Sequence, residues 1–178
     1  TTAIYSIAYD VLVRPLPYAD AGRLVFLAGK DGTGAIWPNF EEWRRRATSF
    51  ESGMASSLAA AVIMTSGQIP RRFDSRSVTA NFFRVLGVSA FQGRLFDESD
   101  AQPNAGATVV VSHAFAIREF GDIPAAVGQT IWFSQRPFTV IGVLPPSFRY
   151  LAPTEVYVLL EPQVAQNYRG MQSPITRT

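Results

Sequence analysis

The sequence predicts an α+β fold, and three observations support this. A strand, a helix and a second strand follow one another in residues 71–96, a capped helix spans residues 113–120, and residues 130–143 alternate as a β-hairpin. Of the 178 residues, 47% are hydrophobic and 17% are charged. A chain of this length and composition supports one sizeable core or two small subdomains.

The first residues form an apolar segment for which two interpretations stay open. Residues 1–13 place apolar side chains on one helical face, and Pro15 and Pro17 end the helix. This segment is either an amphipathic helix that lies on the domain or the last turns of a membrane helix. In the second case, Arg14 and Tyr18 lie at the level of the lipid headgroups.

The next predicted elements are a strand, a helix and a pair of strands. Residues 24–27 are an apolar strand, and Trp37 precedes a helix over residues 40–46. Residues 50–66 are small and apolar, and they predict two strands that join near Ser57 rather than a helix.

The central feature is a corner made of two strands and a short helix. Residues 71–78 alternate as a strand, and residues 88–96 leave the corner as another. Between these strands, Thr79 or Asn81 begins a helix, which Gly87 ends in the left-handed conformation. Nothing in the corner has the residue types of a catalytic site.

Two adjacent phenylalanines in this corner are expected to anchor a core. A buried aromatic side chain removes roughly 150 to 250 Å² from water, and Gly93 allows a close approach of the backbone or a bulge. The aromatic residues Trp37, Trp132 and Tyr150 are candidates for an exposed binding patch, although packing in a core or a hairpin is the commoner fate of such residues. The candidate structural or interaction residues are Asn81, Phe82, Phe83, Gly87, Trp37 and Trp132.

The second half begins after a flexible joint at residues 101–107, which is the candidate subdomain boundary. The elements predicted after it are a buried strand at 108–111, a helix at 113–120 capped by Ser112 and ended by Gly121, a helical turn at 124–128, the hairpin at 130–143 and a strand at 155–160. The tail from Gln163 onward is polar, and we expect its end to be loosely ordered.

The residue types argue against most chemistry. The chain has no cysteine and one histidine, His113, so disulfides, thiolate catalysis and cysteine-based metal sites are excluded. Ser112 is better explained as a helix cap than as a nucleophile. A turn or a helix N-terminus explains Asp97, Glu98 and Asp100 better than a Ca²⁺ site does. The sequence therefore predicts no catalytic residue, no metal ion and no cofactor.

The charge pattern also argues against one class of partner. The formal net charge is +2, and acidic residues are interspersed with the arginines along the chain. Nucleic-acid binding domains concentrate their positive charge on one face or stripe. We therefore expect no nucleic-acid partner.

Several motifs occur in an order that is typical of a known family. They are residues 11–18, the helix start Trp37-Pro38-Asn39-Phe40, residues 77–88, Gly93-Arg94 and residues 136–143. Together they resemble the periplasmic core domain of MacB-like ABC transporter permeases, in particular the orphan permeases common in acidobacteria. The resemblance covers nearly the whole chain, and each motif is structural.

The resemblance implies a domain organisation and a function. Residues 1–14 would be the end of the first transmembrane helix, residues 15–100 a membrane-proximal α/β subdomain, and residues 101–178 a β-rich inserted subdomain. The domain would lie on the periplasmic side of the inner membrane. There it would relay conformational change, driven by ATP hydrolysis in the cytoplasm, for the export of a substrate, and it would be non-catalytic.

The resemblance also implies partners, and one alternative function stays open. The implied partners are the transmembrane part of the same permease, a second permease copy, an ABC ATPase subunit and a periplasmic adaptor. The alternative is a free-standing extracytoplasmic ligand-binding module or hydrolase. That alternative requires a deep pocket lined with convergent polar groups.

Overall fold

The computed structural model describes residues 46, 57–65, 69–150 and 152–160. Arg46 is helical and exposed, in agreement with the helix predicted at residues 40–46. Between residues 57 and 160 the elements are β1 (Ser57–Met64), β2 (Arg71–Val78), α1 (Phe82–Val85), β3 (Gln92–Gly93), β4 (Thr108–Val111), α2 (His113–Phe120), α3 (Ile123–Ala126), β5 (Thr130–Phe133), β6 (Arg136–Val143) and β7 (Val156–Leu159). Helices and strands are mixed, which confirms the predicted α+β class.

Some predictions lie outside the described residues. They are the helix at residues 1–13, the strand at 24–27, Trp37 with the start of its helix, the first of the two strands in residues 50–66, and the tail from residue 163. The division into residues 1–14, 15–100 and 101–178 stays a prediction. In the part of the chain that is described, no helix has both the length and the apolar character needed to cross a bilayer.

The strands form one mixed sheet that closes on itself. Their order is β3, β6, β4, β7, β2, β1 and β5, and β5 also pairs with β6. Strands β6, β4, β7, β2, β1 and β5 thus form a ring. The contact between β1 and β5 involves few residues, and there the amide of Thr65 donates to the carbonyl of Trp132 at 2.9 Å. The β2–β7 and β4–β6 pairs are parallel, and the others are antiparallel. Strands from both sides of residues 101–107 therefore share a small barrel.

A first core fills this barrel. All six strands of the ring contribute apolar side chains to it, and Phe115 and Ala116 of α2, with Ile123 and Ala126 of α3, cover one part. The members from the strands are Met64, Phe73, Val109, Val111, Ile131, Phe133, Val140, Val143 and Val156. Burial of this apolar surface is the main force that holds α2 and α3 against the barrel.

A second core lies on the outer face of the same sheet. Strand β4 supplies both cores, since Val109 and Val111 belong to the first and Val110 to the second. Successive side chains of a strand point to opposite faces, which explains this division. The other buried members of the second core are Val78, Phe82, Phe83, Leu86, Phe96, Leu144 and Tyr157.

Most of the predicted elements after residue 70 are confirmed. Strand β2 has the predicted bounds, and α2 begins after Ser112, whose hydroxyl accepts a hydrogen bond from the amide of Phe115 at 3.1 Å. Gly121 ends α2 with φ of 75°. Strand β7 begins at Val156, one residue later than predicted, and ends at Leu159.

The predicted hairpin is also confirmed, with a two-residue turn between β5 and β6. Ser134 and Gln135 both have positive φ, at 48° and 67°. Turns of this kind match the twist of the two strands that they join. Neither residue is glycine, so the turn carries some backbone strain.

The second strand predicted in residues 50–66 is present as Ser57–Met64 and pairs with β2 over all eight residues, whereas the junction before it lies at the edge of the described residues. One strand prediction is wrong in extent: of the strand predicted at residues 88–96, only Gln92–Gly93 is present. Beyond Gly93 the chain turns toward Asp100, with which Arg94 forms an ion pair.

Candidate functional site

The helix of the central corner begins without a side-chain cap. Asn81 occupies the N-cap position, but its side chain makes no capping hydrogen bond. The backbone closes the turn instead, with the amide of Phe82 donating to the carbonyl of Thr79 at 3.0 Å. The helix does begin after Asn81, as predicted. The expectation that the Asn81 side chain forms a capping hydrogen bond is wrong.

The end of this helix is a Schellman motif formed around Gly87. The amide of Gly87 donates to the carbonyl of Arg84 at 3.0 Å, and the amide of Val88 donates to the carbonyl of Phe83 at 2.9 Å. Gly87 has φ of 66°. This pair of bonds, with a left-handed residue between them, satisfies carbonyls that the helix leaves unpaired.

The two phenylalanines of the corner are both buried. Phe82 is 3% exposed and Phe83 is 1% exposed. The ring of Phe83 lies 5.4 Å from that of Tyr157 on β7 and 6.1 Å from that of Phe96. The ring of Phe82 meets that of Tyr150 edge to face at 4.9 Å. The corner is therefore packed against the barrel through aromatic contacts.

Two glycines bring β3 and β6 into close backbone contact. Gly93 pairs with Gly142 in register. A Cβ atom on Gly93 would lie 2.3 Å from the carbonyl oxygen of Ile141, and one on Gly142 would lie 2.0 Å from that of Arg94. The close approach predicted for Gly93 is confirmed. Gly142 could have been found as well, since an isolated glycine within a strand indicates such a contact.

A guanidinium and a buried carboxylate hold the chain after Gly93. The Arg94 nitrogens donate to the two Asp100 oxygens at 2.6 and 2.7 Å. Asp100 also accepts from the amide of Asp97 at 3.0 Å, and its side chain is 5% exposed. The hydrogen bond to Asp100 is the main reason why the pKa of Arg94 is raised. Sequence reasoning missed this pair.

The acidic residues near this pair form a turn. Asp97 accepts from the amide of Ser99 at 2.7 Å, and its pKa lies below the ordinary value mainly because of hydrogen bonds from Ser99. Among the described residues, no group of three or more acidic or histidine side chains could hold a metal ion. The amide of Asp100 donates to the carbonyl of Asp97 at 3.1 Å, and this bond confirms the interpretation of the run as a turn.

His113 and Tyr150 pack against neighbouring side chains, whereas Trp132 is exposed. The His113 ring meets that of Phe91 edge to face at 5.3 Å, while the neighbouring Ser112 caps α2. Trp132 lies on β5 and is 44% exposed. Tyr150 does not extend this exposed surface, because it packs against Phe82 and its ring lies 5.2 Å from the Arg76 guanidinium.

Two open depressions border the corner. One has a volume of about 430 Å³ and lies beside the glycine pair, where Arg94, Val127 and Thr139 line it. The other has a volume of about 340 Å³ and lies between residues 87–91 and the loop that contains Phe148. The first therefore lies between β3, β6 and the residues that follow α3, and the second lies beside the residues that follow α1.

Comparison with known proteins places this fold in a family. The model of the MacB-like periplasmic core domain matches residues 1–175. The macrolide export ATP-binding/permease proteins MacB of Neisseria gonorrhoeae and of Neisseria meningitidis serogroup A are each 32% identical to the chain over 114 residues. The matched part covers 60% of this chain and spans only 17% of the length of each relative.

Solved structures give two similar folds. The extracellular domain of the noncanonic ABC-type transporter YknZ from Gram-positive bacteria has a TM-score of 0.47 and 17% identity, over 66% of this chain and 58% of that one. The periplasmic region of MacB from Actinobacillus actinomycetemcomitans has a TM-score of 0.44 and 22% identity, over 64% of this chain and 61% of that one. Because the family model spans nearly every residue, which confirms the resemblance seen in the sequence, the chain belongs to the family of MacB-like periplasmic core domains.

Proposed function

We propose that this chain relays conformational change in an ABC transporter permease and performs no chemistry of its own. The observation that carries the proposal is the family match over residues 1–175. The relatives in Neisseria are named as macrolide exporters. Macrolides are therefore the first substrate class to test.

The geometry of the corner supports a mechanical role. Phe82 and Phe83 connect α1 to the outer face of the barrel, and β4 supplies side chains to the cores on both faces. Closely packed interiors transmit displacement because they have few voids to absorb it. A shift of α1 would therefore be carried into the barrel. The depressions beside the corner are open, which favours this role over that of a ligand-binding module or hydrolase.

In this proposal the residues of the corner shape the relay, and its partners lie elsewhere. Asn81 occupies the position before α1 and Gly87 ends it, and Trp132 offers an exposed aromatic side chain to a partner. The proposed partners are the transmembrane part of the same permease, a second permease copy, an ABC ATPase subunit and a periplasmic adaptor. The chain would lie on the periplasmic side of the inner membrane.

The test separates relay from catalysis in the permease that carries this chain. Arg94→Met removes the ion pair that holds the corner, and Arg84→Met, at an exposed position of α1, is the matched control. We expect Arg94→Met to lower macrolide export about tenfold while ATP hydrolysis by the associated ATPase continues, since a loosened relay uncouples the two. Arg84→Met should preserve both. Export that stays at the wild-type level in Arg94→Met would contradict the proposal.

A further inference from the structure

Four charged residues join β2, α2 and the start of β7. The two oxygens of Glu119, on α2, accept from both terminal nitrogens of Arg71 on β2, one of these bonds being 3.1 Å long. The Nε atom of Arg118 also donates to Glu119, at 2.9 Å, and an Arg118 terminal nitrogen lies 2.7 Å from Glu155. We call Arg71, Glu119, Arg118 and Glu155 the charged clamp.

The backbone completes a closed path through the charged clamp. The amide of Glu155 donates to the carbonyl of Asp74 on β2 at 3.0 Å, and its carbonyl accepts from the amide of Ser112 at 2.8 Å. The path runs from β2 through Glu119 and Arg118 to Glu155 and back to β2. Glu155 therefore touches the start of α2 through its backbone and the end of α2 through its side chain.

An aromatic ring lies inside this path. The guanidinium groups of Arg71 and Arg118 lie 5.3 and 5.4 Å from the centroid of the Phe73 ring. Phe73 is 5% exposed and meets the ring of Phe115, on α2, edge to face at 5.2 Å. Cation–π attraction is stronger where the ring is shielded from water. The charged clamp and the first core thus share Phe73.

Glu119 is the central acceptor of the charged clamp. Its side chain is 8% exposed, whereas those of Arg71 and Arg118 are 50% and 45% exposed. Phe115 and Ala116 hold α2 against the barrel by apolar burial, which is not directional in itself. Bidentate bonds between a guanidinium and a carboxylate are directional.

We propose that the charged clamp sets the orientation of α2 on the barrel and makes β2, α2 and the start of β7 move as one rigid unit, with Glu119 as the residue that unites them. This inference concerns the fold alone and does not depend on a role in transport. Loss of Glu119 would free the end of α2 from β2. The chain of contacts from β2 through α2 to Glu155 would then be interrupted. The start of β7 would lose the restraint that these contacts provide.

Amide hydrogen exchange of the full chain tests this inference. Glu119→Gln keeps the size of the side chain and removes its charge, and Glu98→Gln, at an exposed position, is the matched control. We expect exchange in α2 and at residues 154–159 to rise together by about tenfold in Glu119→Gln, with the β5–β6 hairpin unchanged. Glu98→Gln should leave all of these rates unchanged.

Two further variants test the charged clamp at other residues. Glu155→Gln removes the ion pair between Glu155 and Arg118. It should give the same pattern of amide exchange, including a rise at the C-terminal end of α2, where Arg118 lies. The exchanged pair Arg71→Glu with Glu119→Arg should restore part of the protection. A uniform rise over the whole chain, or a rise in α2 without one at residues 154–159, would overturn the proposal.

Discussion

Gly93 and Gly142 face each other across the β3–β6 pair, and the backbones approach so closely that neither position has room for a side chain. A Cβ atom at position 142 would meet the carbonyl oxygen of Arg94 at 2.0 Å. The corner and the barrel are thus joined by direct contact between two backbones. This contact leads to the first prediction.

Gly142→Ala should destabilise the protein by about 1 to 3 kcal/mol, because the added methyl group forces β3 away from β6. The measurement is the free energy of unfolding from urea denaturation. Gly106→Ala is the matched control, since a Cβ there meets nothing within 4 Å. Equal stability of the two variants would show that β3 does not lie against β6 as described.

The two phenylalanines of α1 give the second prediction. Replacing Phe82 or Phe83 with Ala should lower the free energy of unfolding by about 3 to 5 kcal/mol, since each is almost fully buried in the second core. Phe91 is 54% exposed, and Phe91→Ala should cost less than about 1 kcal/mol. If neither Phe82→Ala nor Phe83→Ala lowers the thermal midpoint, the assignment of the corner is wrong.

The ion pair between Arg94 and Asp100 gives the third prediction. Arg94→Met leaves a carboxylate that is 5% exposed without its cation, and we expect a loss of about 1 to 3 kcal/mol. Asp100→Asn should also destabilise the protein. The double variant should lose less than the sum of the two single losses, because both remove the same interaction. Strict additivity in this double-mutant cycle would show that the two side chains do not interact.

The pH dependence of stability tests Glu119. Burial alone would raise the pKa of Glu119, but the hydrogen bonds and the positive charges of Arg71 and Arg118 outweigh this effect and hold it below its ordinary value. A carboxyl whose pKa is lower in the folded state contributes stability above its unfolded value of about 4.3. This contribution is lost as the pH falls through the folded pKa.

The comparison of wild type with Glu119→Gln isolates that contribution. Above about pH 5 the wild type should be the more stable of the two, and below about pH 4 the difference should shrink. Thermal unfolding of both proteins across this range provides the measurement. A difference that stays constant from pH 7 to the acid range would contradict the role given to the carboxylate.

A buried hydroxyl gives the last prediction. The side chain of Ser75 is 3% exposed, and within the described residues its oxygen has no hydrogen-bond partner. Ser75→Ala should therefore be neutral or should raise the free energy of unfolding by up to about 1 kcal/mol. Ser89→Ala, at an exposed position, should have almost no effect. A clear loss of stability in Ser75→Ala would show that the hydroxyl is bonded.

Local signals predicted the elements that depend on local interactions. Ser112 caps α2 and Gly121 ends it, and Gly87 ends α1, because caps and left-handed residues act on the backbone within a few positions. The hairpin of β5 and β6 was predictable for the same reason. The strand predicted at residues 88–96 is wrong for a different reason. Residues 94–100 turn because Arg94 pairs with Asp100, a contact that the alternation of side chains along a strand does not reveal.

The sequence by itself determined the α+β class, the family and the positions of the main helices and strands after residue 70. Only the tertiary structure decided that the strands close into a barrel, that Gly142 faces Gly93, and that Glu119 lies between Arg71 and Arg118. The physical reason is the range of the interactions. Capping and alternation act between near neighbours, whereas strand pairing and ion pairs join residues that only the folded backbone brings together.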